Sequence, residues 1–182
     1  MGRTVVLGVT GSIAAYKACE LVRRIVKEGW TVRVVMTDHA QAFVTPLTFQ
    51  TLSRQRVSSR FSDASADWMP EHIALAEAAD VCVVAPATAN ILAKMAHGVA
   101  DDLLSGTLLA MRAPVLAAPA MNVAMWRNAA TQENLAVLQR RGVRIVQPGS
   151  GELACGTSGD GRMAEPETIF RAVRDILDHV EK

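Results

Sequence analysis

Five short apolar runs, spaced so that helices fit between them, constrain this chain more than any other feature. Thr4-Val-Val-Leu-Gly-Val9, Thr31 to Met36, Val81 to Ala85, Pro114 to Ala118 and Val143 to Val146 are rich in valine, leucine and alanine. Runs of that length with little polar alternation suit strands covered on both faces, as in a parallel sheet. Between the first two, Ile13 to Glu28 repeats apolar residues at Ala14, Cys19, Leu21, Val22, Ile25 and Val26, and Gly29 stops the pattern. That is strand, turn, amphipathic helix and strand at the spacing of a parallel pair. Helical stretches are expected around 88 to 111 and 131 to 141. The sequence therefore predicts an α/β fold: one doubly wound, Rossmann- or flavodoxin-like domain over residues 1–182, with a parallel sheet of about five or six strands and helices on both faces.

Helix punctuation agrees with this pattern. Thr45-Pro46 reads as an N-cap and first helical residue, Thr131 as the cap of NLAVLQRR before Gly142, and Glu165-Pro166 as the opening of the last helix. Two stretches resist it: the polar 53 to 70, and 147 to 165, which reads QPGSGELACGTSGDGRMAE. Loops of that length are expected to act as lids or to lack order.

The 182 residues suit one domain with a full core, and 19 basic against 18 acidic residues leave a charge of +1 without a basic cluster. That argues against nucleic acid or an acidic membrane as partner and for a small molecule or a protein. No apolar stretch is long enough to span a bilayer, and MGRTVVLG lacks a signal-peptide layout, so a cytoplasmic protein is expected. Cys19, Cys82 and Cys155 lack CxxC spacing, which argues against a disulfide framework and a zinc site.

In an open parallel sheet the ligand sits beyond the carboxyl ends of the strands, so the residues that follow each strand carry the information. After the first strand comes Thr10-Gly11-Ser12-Ile13 at a helix start. Such a turn either caps the helix or holds a phosphate on its N-H groups, and without GxGxxG or Walker spacing it suits a phosphomonoester. The second strand ends at Thr37. The third ends at Pro86-Ala87-Thr88-Ala89-Asn90, where small residues leave room for a flat ring. The fourth ends in PAMNVAMW, Pro119 to Trp126, whose rim position favours ligand recognition over packing.

His72 is either a structural residue or a proton-transfer group, and spacing does not decide. His39, His97 and His179 are read as surface residues. Cys155 stands among five glycines and is poorly placed as core filler, whereas Cys19 and Cys82 read as small buried hydrophobes. Asp101-Asp102 reads as a helix N-terminus rather than a metal pair.

Taken together, GVTGSIAAYKA (8–18), FVTPLTF (43–49), HIAL (72–75), APATAN (85–90), PAMNVAMW (119–126) and LACGTSGDGRMAEP (153–166) resemble the homo-oligomeric flavin-containing cysteine decarboxylases, most closely the branch that acts on phosphopantothenoylcysteine. The resemblance implies FMN, with its phosphate at Gly11, Ser12 and Ile13 and its ring system near Thr37, Thr45, Pro86, Ala87, Thr88, Ala89, Asn90 and Ala120. It implies trimers or dodecamers with the flavin at a subunit contact, and no metal. It assigns His72 as the acid/base near the substrate thiol and carboxylate and Asn122 as the clamp on carboxylate and amide. Met121 and Met125 form the wall, and Cys155 is the proton donor to an enethiolate that arises through a thioaldehyde. The implied reaction converts 4'-phospho-N-pantothenoyl-L-cysteine to 4'-phosphopantetheine in coenzyme A biosynthesis. A synthetase is the implied partner, in cis or in trans, since the chain has no room for one. Alternatives that share the fold or flavin are oxidative decarboxylation of a peptide's C-terminal cysteine, flavin prenyl transfer, and a non-catalytic phosphatase-regulating flavoprotein. The cysteine in LACG favours the first reading.

Overall fold

A computed structural model describes residues 2–61, 69–152, 156 and 158–180. Five parallel strands form one sheet in the order β2-β1-β3-β4-β5, with β1 Thr4–Val9, β2 Thr31–Met36, β3 Val81–Ala87, β4 Val115–Pro119 and β5 Arg144–Ile145. This is the flavodoxin-like order, in which the chain leaves β1 for one side of the sheet and later returns to its other side at β3. The helices are α1 Ala15–Lys27, α2 Pro46–Ser53, α3 Glu71–Ala78, α4 Ala89–His97, α5 Leu103–Ala110, α6 Val123–Arg127, α7 Ala129–Arg140 and α8 Pro166–Val180.

Alternation along the strands sorts the core into two layers. Val5, Leu7 and Val9 of β1, with Val81, Val83 and Ala85 of β3, face Ala18, Leu21 and Ile25 of α1 and Ile169 and Val173 of α8. Val6, Cys82, Val84 and Ala117 face Leu75 of α3, Ile91 and Leu92 of α4, Leu103 and Leu104 of α5 and Leu135 and Leu138 of α7. Each fully buried Val or Leu contributes about 1.5–3 kcal/mol relative to exposure. Gly8 lets α5 approach the sheet, since a Cβ there would come within 2.6 Å of Leu104 Cδ1.

The structure corrects several local expectations. The stretch 88 to 111 is two helices, because Gly98 turns left-handed (φ 71°) after α4 and Asp102 caps α5. Asp102 accepts from Ser105 N at 2.8 Å while Ser105 Oγ accepts from Asp102 N at 3.0 Å, so the acidic pair does open a helix. The cap of α7 is Asn128, whose Oδ1 accepts from Ala130 N at 3.0 Å. Thr131 lies buried inside the first turn. The stretch 147 to 165 is not an unstructured loop. It contains antiparallel strands β6 Gly149–Glu152 and β7 Ser158–Arg162, which form a separate two-stranded sheet. Within 53 to 70, Ser58 exchanges backbone bonds with β2, donating to Val34 O and accepting from Met36 N. Thr45 and Glu165 stand where the punctuation puts them, directly before α2 and α8.

Candidate functional site

All five strands point their carboxyl ends the same way, and a cavity of about 730 Å³ opens at the edge between β1 and β3. Its floor is a pair of hydroxyls, the buried Thr10 and the half-buried Thr88. Thr10 Oγ1 donates to Pro86 O at 2.7 Å, accepts from Thr88 N at 3.1 Å and lies 3.3 Å from Thr88 Oγ1. This ties the two strand ends together just where the order of the sheet reverses. The Ala85–Pro86 peptide is cis. Thr88 in turn caps α4, its hydroxyl accepting from Ile91 N at 3.4 Å.

Gly11 follows Thr10 and has no room for a side chain, because a Cβ there would stand 2.5 Å from His39 Cβ. The bare turn faces the cavity and leads into α1, whose first helical residue is Ala15. A glycine turn before a helix, flanked by Thr10, Thr37, Thr88 and Asn90, is a donor set that fits a phosphorylated ring compound held at a helix start.

Of the residues singled out from the sequence, Gly11, Thr37, Thr88, Asn90 and Met125 line the cavity. Ser12 sits in the turn beside it, where its hydroxyl accepts from Ala14 N at 3.3 Å, and Ile13 is exposed. Pro86, Ala87 and Ala120 form the support beneath: Ala87 O accepts from Ala120 N at 3.0 Å, joining the ends of β3 and β4. Ala89 opens α4, and Thr45 caps α2 away from the cavity lining.

Asn122 is exposed and caps the short helix α6, its Oδ1 accepting from Ala124 N at 2.8 Å. Met121 and Trp126 are half-buried against the layer of α4 and α7, so the segment both packs and faces the rim. β7 holds it in place. Met121 N donates to Gly161 O at 3.0 Å, Val123 fills the space beside Gly159, and Arg127 lies 3.4 Å from Asp160. Cys155 falls outside the described residues.

His72 is the second residue of α3, and since α3 ends just before β3 begins, its first turn stands on the carboxyl side of the sheet. It does not line the cavity of its own chain. Phe61, which does, meets the imidazole edge-on at 5.5 Å between ring centres, and His72 Nδ1 is buried without a hydrogen-bond partner among the described residues.

Several lining residues carry no ligand role in the sequence reading: Asp38, His39, Ser59, Arg60, Phe61 and Lys94, together with Asp101 and Asp102, which are expected there only as a helix start. His39 was read as a surface residue, and it is exposed, but the short 3₁₀ turn Asp38–Ala42 sets it against Gly11. Lys94 stands one helical turn beyond Asn90 on α4, a spacing that would have found it. Its ammonium meets Asp101 at 2.5 Å and Asp102 at 2.7 Å. Burial alone would lower Lys94, but the two carboxylates hold it above its ordinary value. Burial also works to raise Asp102, and the Lys94 and Ser105 hydrogen bonds overcome it. Cys82, at the centre of the sheet, is pushed up to about 12 by burial and is a core residue. Among the described residues no group of three or more His, Cys, Asp or Glu could hold a metal ion, and no helix is long and apolar enough to cross a membrane.

Fold and cavity together define a flavodoxin-like α/β domain with a cavity at the β1/β3 switch point. The profile of the Flavoprotein family matches residues 1–178. The chain belongs to that family. It is 48% identical over 176 residues to the coenzyme A biosynthesis bifunctional protein CoaBC of Haemophilus influenzae, covering 97% of this chain and 44% of the relative. With the protein of the same name from Escherichia coli it shares 51% identity over 168 residues, 92% of this chain and 41% of the relative. The chain thus spans less than half the length of these relatives. Among solved structures, a cysteine-to-serine mutant of PPC decarboxylase complexed with pantothenoylaminoethenethiol is 33% identical. It superposes with a TM-score of 0.88 over 98% of this chain and 100% of that one. The FMN-dependent cysteine decarboxylase SpaF is 32% identical, with a TM-score of 0.84 over 99% and 98%.

Proposed function

We propose that the chain is an FMN-dependent carboxy-lyase that converts 4'-phospho-N-pantothenoyl-L-cysteine to 4'-phosphopantetheine and CO2 in coenzyme A biosynthesis. One observation carries the reading: Met125 of PAMNVAMW shares a cavity with Gly11, Thr88 and Asn90, so the motif of the decarboxylase resemblance and the flavin-type switch point form one site. The similarity to CoaBC proteins and to PPC decarboxylase supports the same substrate.

The turn Gly11-Ser12-Ile13 and the start of α1 hold the FMN phosphate. Thr37, Thr88 and Asn90 line the space for the ring system, with Pro86, Ala87, Ala89 and Ala120 as its backing. FMN, when bound, supplies the hydride acceptor and donor that a substrate carboxylate without an electron sink requires. Asn122, aimed by its own cap bond, orients the substrate carboxylate and amide, and Met121 and Met125 exclude water beside it. His72 holds the proton of the substrate thiol. By resemblance, Cys155 delivers a proton to the carbon that has lost CO2.

The site is completed between subunits of a homotrimer or dodecamer. Two features support this: His72 lies outside the cavity of its own chain, and Ile13, Tyr16, Phe43 and Leu47 are large apolar residues left exposed around the start of α1 and α2. A phosphopantothenoylcysteine synthetase, in cis or in trans, is the partner, since the relatives are bifunctional. The cytoplasm is the expected location.

The test offers the FMN-loaded protein both phosphopantothenoylcysteine and a peptide ending in cysteine, and weighs the products. A saturated thiol lighter by one CO2, formed from the first, is expected. Turnover of the peptide alone, with loss of CO2 and two hydrogens, would overturn the assignment. His72→Asn is expected to abolish turnover while the protein stays yellow.

A further inference from the structure

Two basic groups outside the cavity share one carboxylate oxygen. Glu165 Oε1 accepts from Lys17 Nζ at 2.8 Å and from Arg162 Nη2 at 3.1 Å. Lys17 belongs to the first turn of α1, the helix that begins after the Gly11 turn, and Arg162 is the last residue of β7. Glu165 itself has a fixed base, because its carbonyl accepts from Thr168 N at 2.9 Å and Ile169 N at 3.1 Å at the start of α8.

Surface ion pairs usually contribute little, and the Glu165 side chain is 57% exposed. The Lys17 side chain, however, is only 11% exposed, so loss of the carboxylate would leave a largely desolvated ammonium without this acceptor. The Lys17 hydrogen bond is also the main cause that holds Glu165 below its ordinary value. On the other side, Arg162 adjoins Gly161, whose carbonyl takes the Met121 amide. Gly161 is tightly placed: a Cβ there would overlap Met121 O. A small displacement of the end of β7 is therefore passed directly to Met121 and Asn122.

We infer that Glu165 is a positioning residue that sets the Pro119–Trp126 segment relative to the α1 start, acting through Arg162 and the Gly161–Met121 bond. The importance of that segment to turnover rests on the proposed function. The register itself does not, and the experiment reads the register.

Amide hydrogen exchange is measured at residue resolution in the FMN-loaded protein, wild type against Glu165→Gln, Glu165→Ala and Lys17→Gln. Exchange at the Met121 amide is expected to rise by roughly threefold or more in all three, while the Ala120 amide, bonded to Ala87 O of β3, keeps its protection. The conservative Glu165→Asp variant is expected to fall between Gln and wild type. Unchanged Met121 exchange in Glu165→Ala would overturn the inference, and so would equal loss at Met121 and Ala120. Neither outcome depends on the substrate. In the proposed reaction the Glu165→Gln variant is expected to raise KM several-fold with FMN affinity unchanged; failure of this arm alone would count against the proposed substrate site rather than against the tie.

Discussion

At the ends of β1 and β3 the Thr10 side chain is buried, and it bonds both the carbonyl of Pro86 and the amide of Thr88. At the end of β4, Asn122 and Met125 are exposed, and the contacts that hold the segment beyond Ala120 include a backbone bond from Met121 to β7, Val123 beside Gly159, the half-buried Met121 and Trp126, the Gln132 bond to Trp126 O, and an exposed ion pair. The two regions face the same cavity. The first is over-determined, which suits a resident group that must sit in one place. The second is held by contacts that can be broken one at a time, which suits a wall that opens and closes around a changing occupant.

The sharpest way to break this contrast is at the floor. Thr10→Val keeps the shape but strands a buried carbonyl and a half-buried amide, and should lower stability by roughly 1–3 kcal/mol, read as a shift of the urea midpoint at constant slope. A loss under about 1 kcal/mol would show that the floor is no better fixed than the wall. Next comes Gly161→Ala, which places a Cβ on Met121 O at a backbone φ of 125°. Its cost, about 1–3 kcal/mol, should fall on the β6–β7 hairpin and the 119–126 segment, with FMN affinity by fluorescence quenching left within about twofold of wild type. Equal losses of flavin and of segment order would mean that the two regions are one unit.

Asn122 gives a finer test. Asn122→Ala loses the α6 cap and should cost about 1 kcal/mol, whereas under the proposed role of Asn122 the Asn122→Ser variant should restore the cap without restoring turnover. Recovery of turnover in the serine variant would reduce Asn122 to a helix cap.

The smallest effect belongs to Lys94. Asp101 and Asp102 are held below the ordinary carboxylate value of 3.8, so their contribution is present above that pH and is lost as pH falls through their depressed values. Lys94 is held above 10.5, so its contribution is complete below that pH and is lost only as pH rises through the raised value. A urea midpoint followed against pH should be insensitive to this cluster near neutrality, and Asp102→Asn should flatten the acid limb slightly. An equally steep acid limb in that variant would place the sensitivity elsewhere.

Much of the sheet was legible because strands covered on both faces need short, nearly unbroken apolar runs, and five of them recur here at βα spacing. The break between α4 and α5 was half legible: Asp101-Asp102 marked the start of α5, but the end of α4 lies in a left-handed turn at Gly98 that the apolar residues on either side of His97–Gly98 do not announce. The cap of α7 was misplaced because Asn128 and Thr131 are both competent, and only packing puts Thr131 inside. The β6–β7 pair gave no alternating pattern at all; its glycines accommodate Met121 and Val123, neighbours far away in sequence. The cavity was legible where it is built from strand ends, as at Gly11, Thr37, Thr88 and Asn90. It was not legible at Ser59, Arg60 and Phe61, which a long polar stretch delivers without any local signature.

The absent side chain at Gly8 has a further consequence. With 2.6 Å between a would-be Cβ and Leu104 Cδ1, there is no room for a methyl group at position 8 unless the Leu104 side chain moves. Gly8→Ala therefore requires the buried Leu104 side chain to shift, and costs least in company with a smaller residue at 104. A Leu104→Ala background should rescue Gly8→Ala, and α5, the helix whose packing the exchange alters, carries the Asp102 cap at the mouth of the cavity.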